Sequence, residues 1–227
     1  MIGTLTTLIL TIIAIFLILK FVKKLIFTVI SMVFLFLILT TLVVSLTYLD
    51  FKDLDKNLNQ NTSVIILADN SNYLTGGYIN PGTMTSSNKA ITNIQNYQNK
   101  SYKDILGNNY KLIIIDINYL EKNLPETLDY NKKSITKRDL INILRSENPK
   151  NELSILYNIP ENELGYTNEE LRYQLFLNSL NSLIQKGGIN IILLGFKSKE
   201  VIVYKETMVF KVIKILPFNY LNKYIVN

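Results

Sequence analysis

The sequence predicts an α+β domain with a mixed or antiparallel sheet, preceded by an N-terminal transmembrane α-helical hairpin. Three observations carry that expectation. Residues 2–19 and 25–49 are apolar runs without a charged side chain, separated by a segment that holds Lys20, Lys23 and Lys24. β-Branched runs at 63–68 (SVIILA) and 110–117 (YKLIIIDI) have the composition of buried strands. Thr167 and Glu170 form a capping box at the head of an amphipathic stretch. Strand pairs and helices are segregated along the chain rather than alternating, which is the α+β pattern.

As helices the two apolar runs rise about 27 Å and about 37 Å. A hydrocarbon core is about 30 Å thick, so both are of spanning length and the second has margin for tilt. The first run has neither a basic n-region nor a small-residue cleavage site, so it is not patterned as a cleaved secretory signal. The connection at 20–24 contains no Gly, Pro or Asn to break a helix. Short loops rich in lysine stay in the cytoplasm. Lys20, Lys23 and Lys24 therefore set the expected topology: connection inside, two helices in the cell membrane, residues 50–227 extracytoplasmic. Gly3, Thr7 and Thr11 recur every fourth residue, as do Thr41 and Ser45. Small residues at that spacing let helices approach closely in lipid, within the hairpin or between copies, although threonine is also simply common here. The runs hold no ionisable group of the kind an ion or proton pathway uses.

Beyond the anchor (1–49) and a polar junction (50–62), residues 63–227 suffice for one domain with a core. Taking the three anchor lysines from the 24 basic residues leaves 21 against 18 acidic ones, a net +3. Such a balance without a clustered basic face gives no case for nucleic acid. The chain has no Cys and no His. Disulfides, thiol nucleophiles, Ser-His-Asp triads and the common zinc and haem sites are excluded within it. No cofactor-binding pattern is present, since Gly76-Gly77 and Gly187-Gly188 match no phosphate loop.

In chain order, residues 50–61 continue helically from the second run, with Phe51, Leu54 and Leu58 on one side. Strands at 63–68 and 73–79 flank the turn cluster Asp69–Asn72, a β-hairpin. A loop follows from Asn80 to Asn99, with a short helix near 89–97, and then the strand at 110–117. A loop around Pro125 leads to helices at 134–146, with Thr136 and Asp139 at its start, and at 150–157. The capped helix runs from Thr167 to Lys186 with an apolar stripe of Leu171, Leu175, Phe176, Leu180, Leu183 and Ile184, and the glycine pair stops it. Strands at 189–194 and 201–205 form a second hairpin. A last helix at 207–225 contains Pro217, which kinks or splits it.

Two of these strands end in carboxylates, Asp69 and Asp116. Acidic residues on a rigid strand edge can hold Mg²⁺ or Mn²⁺ for hydrolysis, since hard cations take oxygen ligands. Asp116-Ile-Asn118 also resembles the opening Asp-x-Asn of PIN-domain nucleases, over one strand only; that resemblance implies metal-dependent nuclease chemistry without assigning its further acidic partners. An aspartate that ends a strand and starts a turn has the same appearance. The hydroxyl-rich stretch 80–88 with Lys89 could supply a serine nucleophile and a base, or be a polar loop. In the last helix Phe210, Lys211, Lys214 and Phe218 suit an interfacial helix pressed on a bilayer, and equally a core helix with snorkelling lysine stems.

The apolar N-terminus, the acidic junction, the Tyr110–Asp116 strand and the Glu206–Lys211 helix start together resemble small membrane-anchored proteins of archaeal genomes. That resemblance implies a lineage and no activity. The expected function is a membrane-anchored, non-catalytic interaction or accessory protein, partnered by the lipid bilayer and by another protein or a second copy through its membrane helices. The alternatives are a metal-dependent hydrolase using Asp69 and Asp116, and a subunit of an oligomeric channel.

Overall fold

The computed structural model describes residues 2–80, 85–90, 97–130 and 133–217, in two compact units, Met1–Leu49 and Asp50–Asn227. The first element is one helix, α1 (Ile2–Gln60). Two helices with a turn at 20–24 are expected from the sequence, yet no hairpin of two spans is seen among the described residues. The physical reason lies in the connection itself. Phe21, Val22 and three lysines have no property that ends a helix, so the intrahelical hydrogen bonds continue through them. Within α1, Ile13–Leu54 is long and apolar enough to cross a membrane, and its apolar stretch is 0% buried. Thr28, Thr40, Thr41 and Thr47 each donate their hydroxyl to the carbonyl four residues earlier, at 2.7–2.9 Å. These threonines therefore present no unsatisfied polar group on the apolar surface.

The second unit is built on a five-stranded sheet of order β3-β2-β1-β4-β7. Its strands are β1 (Ser63–Asp69), β2 (Asn72–Asn80), β3 (Thr85–Ala90), β4 (Leu112–Asp116) and β7 (Val201–Tyr204). β1 and β4 are parallel, with Val64 opposite Leu112 and Ala68 opposite Asp116. All other neighbours are antiparallel, so the sheet is mixed. The remaining two strands, β5 (Thr127–Tyr130) and β6 (Lys133–Thr136), form a separate hairpin.

The parallel pair is central because it is buried on both faces, as its unbroken β-branched runs require. One face, with Ile65, Leu67, Ile113 and Ile115, packs into the main core under the helices. The other, with Val64, Ile66, Leu112 and Ile114, packs with Tyr97, Ile105 and Leu106. Ile105 and Leu106 lie on α2 (Tyr102–Leu106). The helices of the main layer are α3 (Ile117–Asn123), α4 (Lys137–Arg145), α5 (Pro149–Tyr157), α6 (Asn168–Gly187), α7 (Ile189–Ser198) and α8 (Met208–Ile215). Truncating one of the fully buried strand residues, such as Ile66, to Ala would cost about 2–5 kcal/mol.

The capping box of α6 is formed in both directions. The amide of Thr167 donates to Glu170 at 2.8 Å, and the amide of Glu170 donates to the Thr167 hydroxyl at 3.2 Å. Its expected stripe is buried, except that Ile184 is partly exposed. Tyr173 on the same helix donates its hydroxyl to the carbonyl of Tyr78 at 3.1 Å. It can do so because β2 has no side chain at Gly77, where an added Cβ would lie 2.3 Å from the tyrosine ring.

Several elements differ from the sequence expectation. Residues 189–194 are not a strand but the start of α7, and the second hairpin does not exist. Ile192, Leu193 and Phe196 are buried at helical spacing, a pattern a short apolar run does not distinguish from a strand. Val201–Tyr204 is a strand, but it pairs antiparallel with β4 at the sheet edge. The 80–99 loop contains β3, whose polar sequence suits an edge strand; Pro81–Met84 and 91–96 lie outside the described residues. The loop around Pro125 contains α3 and the β5–β6 hairpin. α4 starts at Lys137 rather than 134, capped by the Thr136 hydroxyl, which accepts from the amide of Asp139 at 3.2 Å. α8 ends at Ile215, because Leu216 precedes Pro217, where the sequence predicts a kink or split, and turns extended at ψ 138°; residues 218–225 lie outside the described residues.

Candidate functional site

β1 and β4 run side by side, so their carboxyl ends emerge together, and this end of a parallel pair is where open sheets take ligands. The fold thus brings together the two carboxylates singled out in the sequence. Asp116 caps α3: one oxygen accepts the amide of Asn118 at 2.8 Å. Its other oxygen accepts the amide of Asn70 at 3.3 Å. Asn70 holds a left-handed turn conformation (φ 54°) directly after Asp69. Both oxygens of Asp116 are therefore engaged by backbone donors, in the turn-forming role.

Asp69 faces a cation instead. Arg145, the last residue of α4, donates from Nε to Asp69 at 3.0 Å and from Nη2 to the side-chain oxygen of Asn118 at 3.0 Å. Glu121 on α3 approaches the same guanidinium at 3.8 Å. The arginine already neutralises Asp69, and it also benefits from the negative end of its own helix. No group of three or more His, Cys, Asp or Glu side chains suited to a metal ion occurs among the described residues. What the arrangement does chemically is tie the β1–β2 turn to α3 and α4 through hydrogen bonds and one half-exposed ion pair, worth at most about 1 kcal/mol.

A second charged cluster lies at the opposite end of the same strands, marked in the sequence only by one basic residue before an apolar strand. Lys111 is only 3% exposed. Its ammonium donates to the carbonyl of Lys205 at 2.7 Å and stands over the rings of Tyr110 (5.0 Å) and Phe210 (5.9 Å). Burial pulls its pKa below the ordinary lysine value, while Asp50 and Asp53 pull it back up and Lys205 pushes it further down. Tyr110 donates to Asp53 at 3.4 Å, and its phenol is pushed up to about 12, mainly by burial and then by Asp53. Asp50 accepts the amide of Val209 in the first turn of α8 at 2.7 Å, and Leu54 is buried in the main core. The junction residues thus form part of the domain: Asp50 satisfies an open helix end, and Asp50 and Asp53 favour the charged form of the buried lysine.

Beside this cluster an open cleft of about 530 Å³ is lined by Asn61, Thr62, Asn108, Asn109, Tyr110 and Lys205. It presents carboxamides, hydroxyls and one ammonium, with no carboxylate or paired nucleophile and base among its lining groups.

The remaining sequence candidates are dispersed. Phe210 is buried and meets Phe196 edge-on at 4.9 Å. Lys211 and Lys214 are exposed, Lys214 pairing with Glu206 at 2.6 Å, and Phe218 lies outside the described residues. Lys89 lies in β3, which carries no described side chain. Gly3, Thr7 and Thr11 sit on the same continuous helix as Thr41 and Ser45. Alignment of Gly3 with Thr41 would need a turn that α1 does not make. Lys20, Lys23 and Lys24 are exposed on α1.

Comparison with family models, curated proteins and solved structures finds no match to this chain.

Lys111 generates a prediction with a defined sign. A lysine whose pKa is lowered by folding holds fewer protons in the native chain than in the unfolded one, between its native pKa and 10.5. Stability therefore rises with pH across that window. Lys111→Met removes this contribution, so the melting temperature of the wild type should gain on that of the variant as pH approaches 10.5. A constant difference between the two would contradict the burial of the charged group.

Proposed function

We propose that the chain is a membrane-anchored, non-catalytic interaction or accessory protein whose domain, residues 50–227, stands on the extracytoplasmic side. The observation that carries this reading is that Ile13–Leu54 of α1 is long and apolar enough to cross a membrane, with its apolar stretch unburied. A helix without a polar face has no stable place in water or flat on a bilayer surface, and needs hydrocarbon or an apolar partner on every side. At about 63 Å it is twice the thickness of a hydrocarbon core. Spanning as one straight rod would drag Lys20–Lys24 into lipid or leave an apolar run in water. A lysine at the bilayer centre costs about 2.5–3.5 kcal/mol on the insertion scale. Reversal at the lysines costs a few backbone hydrogen bonds that water at the surface replaces. We therefore place both apolar runs in the bilayer with Lys20, Lys23 and Lys24 at its cytoplasmic surface. The partner is another protein or a second copy, engaged through the membrane helices, and nucleic acid is not a partner.

The absence of Cys from the chain makes the topology directly testable. With Val22→Cys and Asn99→Cys introduced singly, an impermeant thiol reagent added to intact cells should label position 99 and spare position 22. Labelling at 22 alone would reverse the orientation, and labelling at both would remove the cytoplasmic connection.

One observation favours a second reading, a metal-dependent hydrolase: Asp69 and Asp116 end neighbouring parallel strands. Arg145 weighs against it, since a cation would have to displace a guanidinium already hydrogen-bonded to Asp69 and Asn118. The full chain in detergent should keep its melting temperature on addition of Mg²⁺ or Mn²⁺. A rise that Asp116→Ala abolishes would establish the hydrolase reading instead.

A further inference from the structure

The sequence holds two Asn-x-Ser/Thr triplets, Asn61-Thr62-Ser63 and Asn99-Lys100-Ser101. That triplet is the acceptor pattern of N-glycosylation, in which the asparagine carboxamide takes the sugar and the hydroxyl two residues on is read with it. Both groups must reach the transferase together, so an acceptor in a folded chain sits in a surface turn or loop.

The fold treats the two triplets differently. Ser63 is 0% exposed and opens β1, where it pairs with Ile79 of β2. Towards β4, the amide of Val64 donates to the carbonyl of Lys111 at 2.8 Å, and the amide of Tyr110 donates to the carbonyl of Thr62 at 2.9 Å. The Asn61 carboxamide donates to the side-chain oxygen of Asn57 at 2.6 Å. Presenting Asn61 with Ser63 to an enzyme would strip the start of β1 from both neighbouring strands.

Asn99 lies in a turn instead. Asn99 and Lys100 are exposed, and Ser101 is half-buried. The amide of Lys100 donates to the carbonyl of Tyr97, and the amide of Tyr102 donates to the carbonyl of Lys100, both at 2.9 Å. Lys100 holds a left-handed turn conformation (φ 53°). The Ser101 hydroxyl donates to the exposed Asp104. That surface contact opens locally without unpairing a strand.

We propose that Asn99 is an N-glycosylation site and that Asn61 is not. This rests on the extracytoplasmic placement of residues 50–227 proposed above, the side on which such acceptors are modified. The donor is an oligosaccharide joined through phosphate to a polyprenyl lipid. Asn99 Nδ2 forms a bond to the anomeric carbon of the first sugar as the bond from that carbon to the phosphate oxygen breaks. The polyprenyl phosphate leaves with the electron pair, and one amide proton passes to a base of the transferase.

The full chain, purified in detergent from membranes of the cells that make it, would be digested with trypsin and read by mass spectrometry. A second sample would first be treated with a peptide N-glycosidase in heavy-oxygen water. Cleavage after Lys56, Lys89 and Lys100 separates the two triplets. The peptide of residues 90–100 should carry a glycan and, once released, an oxygen-labelled aspartate at position 99, while residues 57–89 stay unmodified. The glycan should be lost in N99Q and S101A, and kept in S101T and N61Q. A bare Asn99, or a glycan on Asn61, would overturn the proposal. If Asn99 is bare, thiol labelling of Asn99→Cys in intact cells separates the causes. Labelling leaves the topology standing and sinks the site alone, whereas its absence removes the topology and the site with it.

Discussion

The constraint that dominates residues 13–49 is a helix whose apolar side chains are exposed on every side. Between positions 13 and 49, 27 large apolar side chains are exposed. Leaving each in water would cost on the order of 1.5 kcal/mol or more, tens of kcal/mol in sum. A folded domain is stable by only about 5–15 kcal/mol, so no interaction within the rest of the chain could offset such exposure. The backbone of the helix is satisfied internally, and its threonines return their hydroxyls to carbonyls one turn back. Under the proposed membrane reading hydrocarbon covers this surface, and the three lysines are the feature that it does not suit.

The domain beyond Leu49 answers a different constraint, closing a core around a parallel strand pair buried on both faces. Helices cover one side of β1 and β4, and a smaller aromatic and aliphatic cluster covers the other. Both ends of that pair are polar, and both are neutralised from within the chain. Arg145 and backbone amides take up Asp69 and Asp116 at the carboxyl end. Asp50 and Asp53 face Lys111, Tyr110 and the first turn of α8 at the other. Groups committed to each other in this way hold a fold in register.

The parts legible in the sequence are those whose local signal and tertiary environment agree. The runs around Ile66 and Ile114 are strands because β-branched side chains fill a doubly buried sheet, and Thr167 with Glu170 starts a helix through bonds made within four residues. Other parts required long-range information. Ile189–Ser198 became a helix because Ile192, Leu193 and Phe196 share one face of the core, while the neighbour that completes the sheet edge is Val201–Tyr204 instead. Polar β3 is a strand only because β2 offers it an edge. At the candidate site Asp69 and Asp116 could be paired in advance, since each closes an apolar strand. Arg145 could not, because nothing near position 145 shows that α4 ends beside those strands. Lys111 and Asp50 are far apart in sequence and meet only through the fold. The connection at Lys20–Lys24 was legible in composition but not in geometry, for a segment without a helix breaker can continue or bend according to its solvent.

Immersion of both apolar runs is the central proposal, and amide hydrogen exchange of the full chain in lipid nanodiscs measures it most directly. Residues 25–49 and the described part of 2–19 should resist exchange in two protected blocks, separated by rapid exchange at Lys20–Lys24 where the backbone meets water. Exchange throughout 25–49, or unbroken protection across the lysines, would contradict it.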